Sequence, residues 1–275
     1  MTKVDRNKLI EAFKDTLKIS RCFDCNVRVY YERFTSVHSA LICSETKVDA
    51  KIIVENNTTF SAANKYKKYG KTAVLNFANP VNPGGGVATG AMAQEECLCR
   101  SSNLYLSLQS PVAIEEYYNY NMKNTNGYFF TDRIVYSESI TVFKSDDDIP
   151  MILPQNDWFN VDVITCAAPY LGNSKYIDKE ILKEVFMHRI KNIFESAIDH
   201  EIDVIILGAF GCGAFKNPPE IVAKAFYEVI SENNYNRVFK FIVFAIKNSI
   251  NNASENDCPN ITAFKQEFNE HEFFK

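Results

Sequence analysis

Apolar residues fall at helical spacing through residues 5–19, where Leu9, Ile10, Phe13, Leu17 and Ile19 share one face and the other is polar. Residues 26–55 alternate less regularly and predict short strands around Val27, Val29, Tyr31, Ile52 and Val54. A helix is expected over Thr59–Lys68, and Lys71–Phe77 has the unbroken apolar character of a buried strand. A helix is then predicted over Gln94–Leu108. Short strands follow at Ile134–Val135, Ile140–Phe143 and Val161–Cys166, and a long helix over Tyr176–Ala197. The chain ends with a strand at Asp203–Leu207, a helix over Pro218–Ser231 and a last strand at Phe239–Ile246. The tyrosine- and asparagine-rich stretch 111–131 reads as an excursion over the surface. Helices alternating with buried strands predict an α/β class with a mixed, largely parallel sheet. There is no internal repeat and no low-complexity linker. The expected organisation is one globular unit over 51–275 with an N-terminal extension, 1–50, packed on it.

At 275 residues the chain is long enough to bury a substantial core. Its 46% hydrophobic and 23% charged residues are ordinary for a globular protein, and a net charge of −4 argues against general nucleic-acid binding. No apolar run reaches the roughly 18 residues a membrane span needs. The N-terminus lacks the apolar stretch of a secretion signal. Eight scattered cysteines, several within apolar runs such as those at Cys43 and Cys166, suit a reduced cytoplasmic protein better than a disulfide scaffold.

Two glycine loops change this picture. The first, Asn79-Pro80-Val81-Asn82-Pro83-Gly84-Gly85-Gly86-Val87, follows a predicted strand. Three successive glycines lose much conformational entropy on folding, which makes little sense in a plain connector. The second, Gly208-Ala209-Phe210-Gly211-Cys212-Gly213-Ala214-Phe215-Lys216-Asn217, runs from a strand into a helix opened by prolines. Backbone N–H groups in such loops bind anions. Neither has the Walker spacing nor the dinucleotide fingerprint. Both lie at the carboxyl ends of predicted strands, where open α/β sheets bind ligands, so they read as a phosphate cradle. Glu95 and Glu96 follow the first loop. Acids are common at helix starts, but beside this cradle they read as acid–base equipment held against a phosphorylated sugar. Neighbours on a helix point about 100° apart, so only one faces fully into a site.

With both loops and the acid pair in view, the chain resembles the microbial-type poly(ADP-ribose) glycohydrolases, a branch of the macrodomain fold. The resemblance spans about residues 50–246. It is carried by Gly84-Gly85-Gly86-x7-Gln94-Glu95-Glu96, by Leu98-Cys99-Arg100-Ser101-Ser102 and by the second loop. It implies a three-layer α/β/α macrodomain and hydrolysis of ribose–ribose bonds, with release of ADP-ribose. By the same resemblance Glu96 is the catalytic acid and base, and Glu95 holds a ribose hydroxyl and keeps Glu96 in place. Gly84, Gly85, Gly86 and Val87 approach the distal ribose and diphosphate, with Gln94 in the signature. Gly211, Cys212, Gly213, Ala214 and Phe215 wrap the diphosphate, Phe215 bordering the distal ribose. Asn79 or Asn82 bonds ribose hydroxyls. Departures fall at Tyr170, in 111–131 and in the first 50 residues, which the resemblance sets near the adenosine end.

No cofactor or metal is expected. Cys22-x-x-Cys25 lacks a second ligand pair for zinc, and Cys97-x-Cys99 has the wrong spacing. Cys212 has no histidine near it in sequence and reads as a packing residue rather than a nucleophile. His38, His188, His200 and His271 are isolated, and Asp146-Asp147-Asp148 reads as a solvated turn. The expected partners are poly(ADP-ribose) or other ADP-ribosylated macromolecules as substrate and ADP-ribose as product. No membrane partner is expected, and the protein is expected to act as a monomer. Two alternatives share the same equipment: removal of single ADP-ribose units, and a non-catalytic ADP-ribose reader.

Overall fold

The computed structural model of the chain describes residues 5–31, 49–125, 129–172, 177–248 and 258–270. His38, Cys43 and His271, the middle of the 26–55 stretch, and Tyr176 at the expected helix start lie outside these residues.

Seven strands form one sheet: β1 (Asn26–Tyr30), β2 (Lys51–Glu55), β3 (Thr72–Phe77), β4 (Ile134–Val142), β5 (Phe159–Cys166), β6 (Val204–Leu207) and β7 (Phe241–Ala245). Their order is β1-β4-β5-β3-β6-β7-β2. The five strands from β5 to β2 run parallel, and β4 pairs antiparallel with both β1 and β5. Parallel strands are buried on both faces, and β3, β6 and β7 show it: their residues are almost all buried and alternate between two cores. Ala73, Leu75, Ile205, Leu207, Ile242 and Phe244 face a layer made by α7 (Lys179–Asp199), α8 (Pro219–Glu232) and α9 (Pro259–Glu270). Val74, Val204, Ile206 and Val243 face the opposite layer. It contains α1 (Arg6–Ser20), α2 (Thr59–Tyr66), α3 (Gln94–Ser101) and α4 (Leu104–Leu108). This is a three-layer α/β/α architecture with a mixed, largely parallel sheet.

Helix ends follow local chemistry. Asp5 Oδ1 accepts from Asn7 N–H to cap α1, and Asp178 Oδ1 accepts from Glu180 and Ile181 N–H to cap α7. The helix expected over 94–108 is broken at Ser102–Asn103. Ser102 is extended and its hydroxyl donates to Leu98 O, while Asn103 exchanges hydrogen bonds with Thr141 in β4. Side chains that bond the backbone locally compete with the helix ladder, and here they win. The two short strands expected between 134 and 143 are one strand, β4, with a bulge between Ser137 and Ile140.

The stretch 111–131 corrects the surface expectation. It contains α5 (Pro111–Ala113), a π-helical turn (Ile114–Tyr118) and α6 (Asn119–Lys123), and Tyr117, Tyr118 and Asn121 are buried. Tyr117 and Tyr118 are core residues, clustered with Leu104, Leu108 and Val135, and they meet edge to face at 4.9 Å. The last helix, α9, was not expected. Ile261, Phe264 and Phe268 give it an apolar face that packs on α8 and β7.

The N-terminal segment is tied firmly to the rest. Strand β1 closes one edge of the sheet. Helix α1 lies against α3: Thr16 Oγ1 donates to Arg100 O, Phe13 packs edge-on to Tyr105 at 5.0 Å, and the buried Lys144 donates to Ala12 O and pairs with Asp15.

On the other side of the sheet Arg189 is wholly buried. It pairs with Asp132 at 2.9 Å and donates to Ala167 O and Phe130 O at 2.7 Å each. Arg189→Met would leave that carboxylate and both carbonyls without their donor. A loss of about 3 kcal/mol or more in unfolding free energy is expected in urea denaturation. A loss below about 1 kcal/mol would mean that solvent reaches these groups after all.

Candidate active site

Strand β3 ends at Phe77, and Asn79 turns the chain away from the sheet. Its Oδ1 accepts from Val81 N–H at 3.0 Å and Asn82 N–H at 2.8 Å, an Asx-type turn. Gly84 and Gly85 follow at φ +69° and +57°, in the left-handed region. A Cβ on Gly84 would lie 2.7 Å from the Tyr105 ring, and one on Gly85 would lie 2.4 Å from Glu96 Oε1 and 3.2 Å from Glu95 Oε2. The glycines are therefore required twice, by backbone conformation and by the close approach of the acid pair.

The acids sit in the first turn of α3. Glu95 is 3% exposed: its Oε2 accepts from Asn79 N–H at 2.7 Å, and its Oε1 faces Asn76 Nδ2 at 3.4 Å. Glu96 is 7% exposed: its Oε1 accepts from Gly86 N–H at 2.8 Å, while the buried Oε2 has no hydrogen-bond partner among the described residues. Burial pushes Glu95 up to about 8, the Asn79 N–H opposing this and the neighbouring Glu96 charge adding to it. Glu95 therefore keeps its proton at neutral pH. Gln94 braces the arrangement. Its Oε1 accepts from Phe77 N–H at 2.8 Å, and its Nε2 donates to Leu75 O at 2.7 Å and Thr59 Oγ1 at 3.1 Å. One side chain thus fixes the start of α3 to the end of β3.

The second loop leaves β6. Gly211 has φ +76°, and a Cβ there would lie 2.4 Å from Ala168 Cβ. Asn217 fastens the loop from inside, its Nδ2 donating to Pro169 O at 2.8 Å and Gly211 O at 2.9 Å. Leu171 N–H donates to Phe215 O, and Tyr170 packs edge-on to the Phe215 ring at 5.3 Å. A cleft of about 520 Å³ opens between the two loops at the carboxyl ends of the parallel strands.

Of the residues expected in a site, Asn79, Gln94, Glu95, Glu96, Gly211, Gly213, Ala214 and Phe215 line this cleft. Gly84, Gly85, Gly86 and Val87 are absent from the lining, and Gly85 and Gly86 meet the Glu96 carboxyl. Asn82 is exposed and away from the lining, with its carbonyl accepting from Gly85 N–H. The Cys212 thiol is pushed up by burial and meets Phe210 O at 3.7 Å, the setting of a packing residue. The far end of the cleft was not legible in sequence. Asn57, Asp146, Asp147, Asp148, Lys247 and Asn260 come together there from four separate segments. The aspartates are more than a solvated turn: Asp146 accepts from Phe60 N–H at 3.1 Å at the start of α2, and Asp148 pairs with Lys247 at 3.1 Å. Helix α1 packs against α3, and Tyr170 lies beside Phe215, which lines the cleft. Among the described residues no three His, Cys, Asp or Glu side chains are grouped as a metal site would need.

Two outcomes follow from this geometry. Gly85→Ala forces a methyl group against Glu96 Oε1 in a left-handed conformation. Displacing the acid by even a fraction of an ångström is expected to lower turnover by an order of magnitude, up to about 100-fold, in steady-state assays. The folded protein also keeps a Glu95 proton that the unfolded chain loses above pH 4.5. Stability should therefore fall as pH rises from 4.5 to about 8, by up to a few kcal/mol. Glu95→Gln should flatten that slope in urea titrations at successive pH values, and an unchanged slope would mean that Glu95 ionises freely in the folded protein.

The model of the microbial-type PARG catalytic domain matches residues 4–145. The poly(ADP-ribose) glycohydrolase of Thermomonospora curvata superposes with a TM-score of 0.81 at 25% identity, over 95% of this chain and 100% of that one. The same enzyme bound to the inhibitor ADP-HPD gives 0.78 at 25% identity, over the same shares. The poly(ADP-ribose) glycohydrolase of Deinococcus radiodurans in complex with ADP-ribose gives 0.72 at 32% identity, over 89% of this chain and 95% of that one. The comparison with curated proteins returned no match. With a fold shared over nearly its whole length and a family model covering more than half of it, this chain belongs to the microbial-type poly(ADP-ribose) glycohydrolase family.

Proposed function

We infer that this protein is a poly(ADP-ribose) glycohydrolase that cleaves ribose–ribose O-glycosidic bonds and releases ADP-ribose. The observation that carries the reading is Glu96: a buried carboxyl with one oxygen held by Gly86 N–H and the other unpartnered, in a cleft between two glycine loops.

The chemistry proposed for these residues is as follows. The substrate diphosphate lies along Gly211–Phe215, where backbone amides offer neutral donors and the exposed Gly213 leaves room for close approach. Glu96 donates its proton to the departing ribose oxygen as the glycosidic C–O bond breaks, and the distal ribose becomes oxocarbenium-like. The negative diphosphate beside it stabilises that developing charge. A water oxygen then bonds the anomeric carbon and returns a proton to Glu96. Glu95 bonds a neighbouring ribose hydroxyl and, held by the Asn79 amide, keeps Glu96 in place. Asn79 serves the ribose hydroxyls in preference to Asn82, because only Asn79 lines the cleft. Gln94 acts through position, by fixing α3 to β3.

The protein is proposed to act as a monomer, one chain carrying both loops and the acid pair. The separated free cysteines support a cytoplasmic setting, and no helix among the described residues is long and apolar enough to cross a membrane. Residues 51–275 are read as the catalytic domain, with the N-terminal 50 residues bracing it through α1 and β1.

Release of ADP-ribose from poly(ADP-ribose) should fall by more than about 100-fold in Glu96→Gln, while ADP-ribose affinity changes little. Release by the wild type only from mono-ADP-ribosylated protein would move the function to single-unit removal. Binding without release from either substrate, equal in wild type and variant, would leave an ADP-ribose reader.

A further inference from the structure

The opposite end of the sheet carries a feature that the cleft does not use. Lys65-Tyr66-Lys67-Lys68-Tyr69-Gly70-Lys71 puts four lysines in seven residues of a chain whose net charge is −4. The segment lies at the N-terminal ends of the parallel strands, beside Thr72 of β3, Phe241 of β7 and Lys51 of β2. Tyr69 is 42% exposed and leans against Phe241 with ring centroids 4.5 Å apart. Cations surround these rings: Lys68 Nζ is 5.1 Å from the Tyr69 centroid, Lys51 Nζ is 5.9 Å from that of Phe241 and Lys67 Nζ is 4.4 Å from that of Phe159. Lys240 donates to Tyr69 O. Carboxylates nearby are engaged by other lysines: Glu55 with Lys65, Asp162 with Lys71, and Asp203 with Lys240. Lys51, Lys67 and Lys68 have no carboxylate within 4.0 Å among the described residues. Beside them opens a recess of about 430 Å³, lined by Lys67, Lys71, Thr72 and Asn160 and also by Glu138 and Asp162, whose carboxylates pair with Arg28 and Lys71.

Free ammonium groups beside a partly exposed tyrosine suit a flexible polyanion, the lysines meeting phosphates and the open edge of Tyr69 meeting a sugar or base. We propose that this lysine–tyrosine patch is a second, non-catalytic binding site for the poly(ADP-ribose) chain. The proposal rests on the reading of the cleft given above. A single nucleotide would gain little here, since each exposed cation contact is worth only about 0.5–1 kcal/mol. A polymer gains more. With one end in the cleft, its remaining units reach the patch at high effective concentration, and weak contacts then add to the affinity of the whole chain. The six residues of β3 put the two sites at least about 17 Å apart, so only chains of several units engage both. The patch thereby selects for polymer length and leaves the chemical step untouched.

The test is steady-state kinetics of Lys67→Glu/Lys68→Glu and of Tyr69→Ala on long polymer and on short oligomers. KM for long polymer should rise roughly five-fold or more, with kcat and all short-oligomer kinetics unchanged, and the salt dependence of KM should weaken. An unchanged KM for long polymer overturns the proposal. Equal losses on short oligomers also overturn it, since they would trace to the cleft. Loss of single-stranded DNA binding with unchanged polymer KM would assign the patch to nucleic acid instead. If the wild type hydrolyses no polymer, the proposed function fails on its own. Retention of long polymer on immobilised wild type but not on the double variant would still support the patch, and equal retention would overturn it.

Discussion

Two backbone amides, those of Asn79 and Gly86, reach across to the carboxyls of Glu95 and Glu96, and much of the site depends on these contacts. The amides come from a loop, and the acids from the first turn of a helix. Neither segment would hold its shape alone, because a triple glycine loses much entropy on folding and a short helix is marginal by itself. Joined, they satisfy each other: the loop's orphan N–H groups gain charged or polar acceptors and the buried acids gain donors. Gln94 completes the joint by bonding the main chain of β3 on both sides of Asn76. The position of the acid pair relative to the sheet is therefore fixed by hydrogen bonds to the backbone rather than by side-chain packing alone.

Burial then decides the chemistry. At the start of a helix the dipole and free amides favour carboxylate charge, yet desolvation and the neighbouring acid oppose it. For Glu95 desolvation is the larger effect, so the residue that accepts the Asn79 amide is also the one that holds a proton at neutral pH.

The sheet gives the molecule two unlike ends. The carboxyl ends of β3 and β6 open into the glycine loops, and the cleft lies between them. The amino ends carry lysines and the exposed Tyr69. The first end is built for close contact with one sugar diphosphate, and the second for loose contact with many. A repeating polymer is the kind of ligand that uses both.

The sequence by itself determined the strands of the parallel sheet and the two glycine loops with their acid pair. Buried parallel strands are written as unbroken apolar runs, and a backbone that must approach a ligand can be written only in glycine. It also determined the family, because the loop-to-acid spacing is local in the chain. Only the tertiary structure decided the rest. Tyr117 and Tyr118 carry polar hydroxyls that suggest a surface, and the cluster they join with Leu104, Leu108 and Val135 exists only once those segments have packed. The break at Ser102–Asn103 depends on Thr141, nearly forty residues away in β4. The far end of the cleft gathers Asn57, Asp146, Lys247 and Asn260 from segments with no shared motif. Proton affinity was decided there too, for a carboxyl's pKa is set by its removal from water, and local sequence does not record how deeply a residue will be buried.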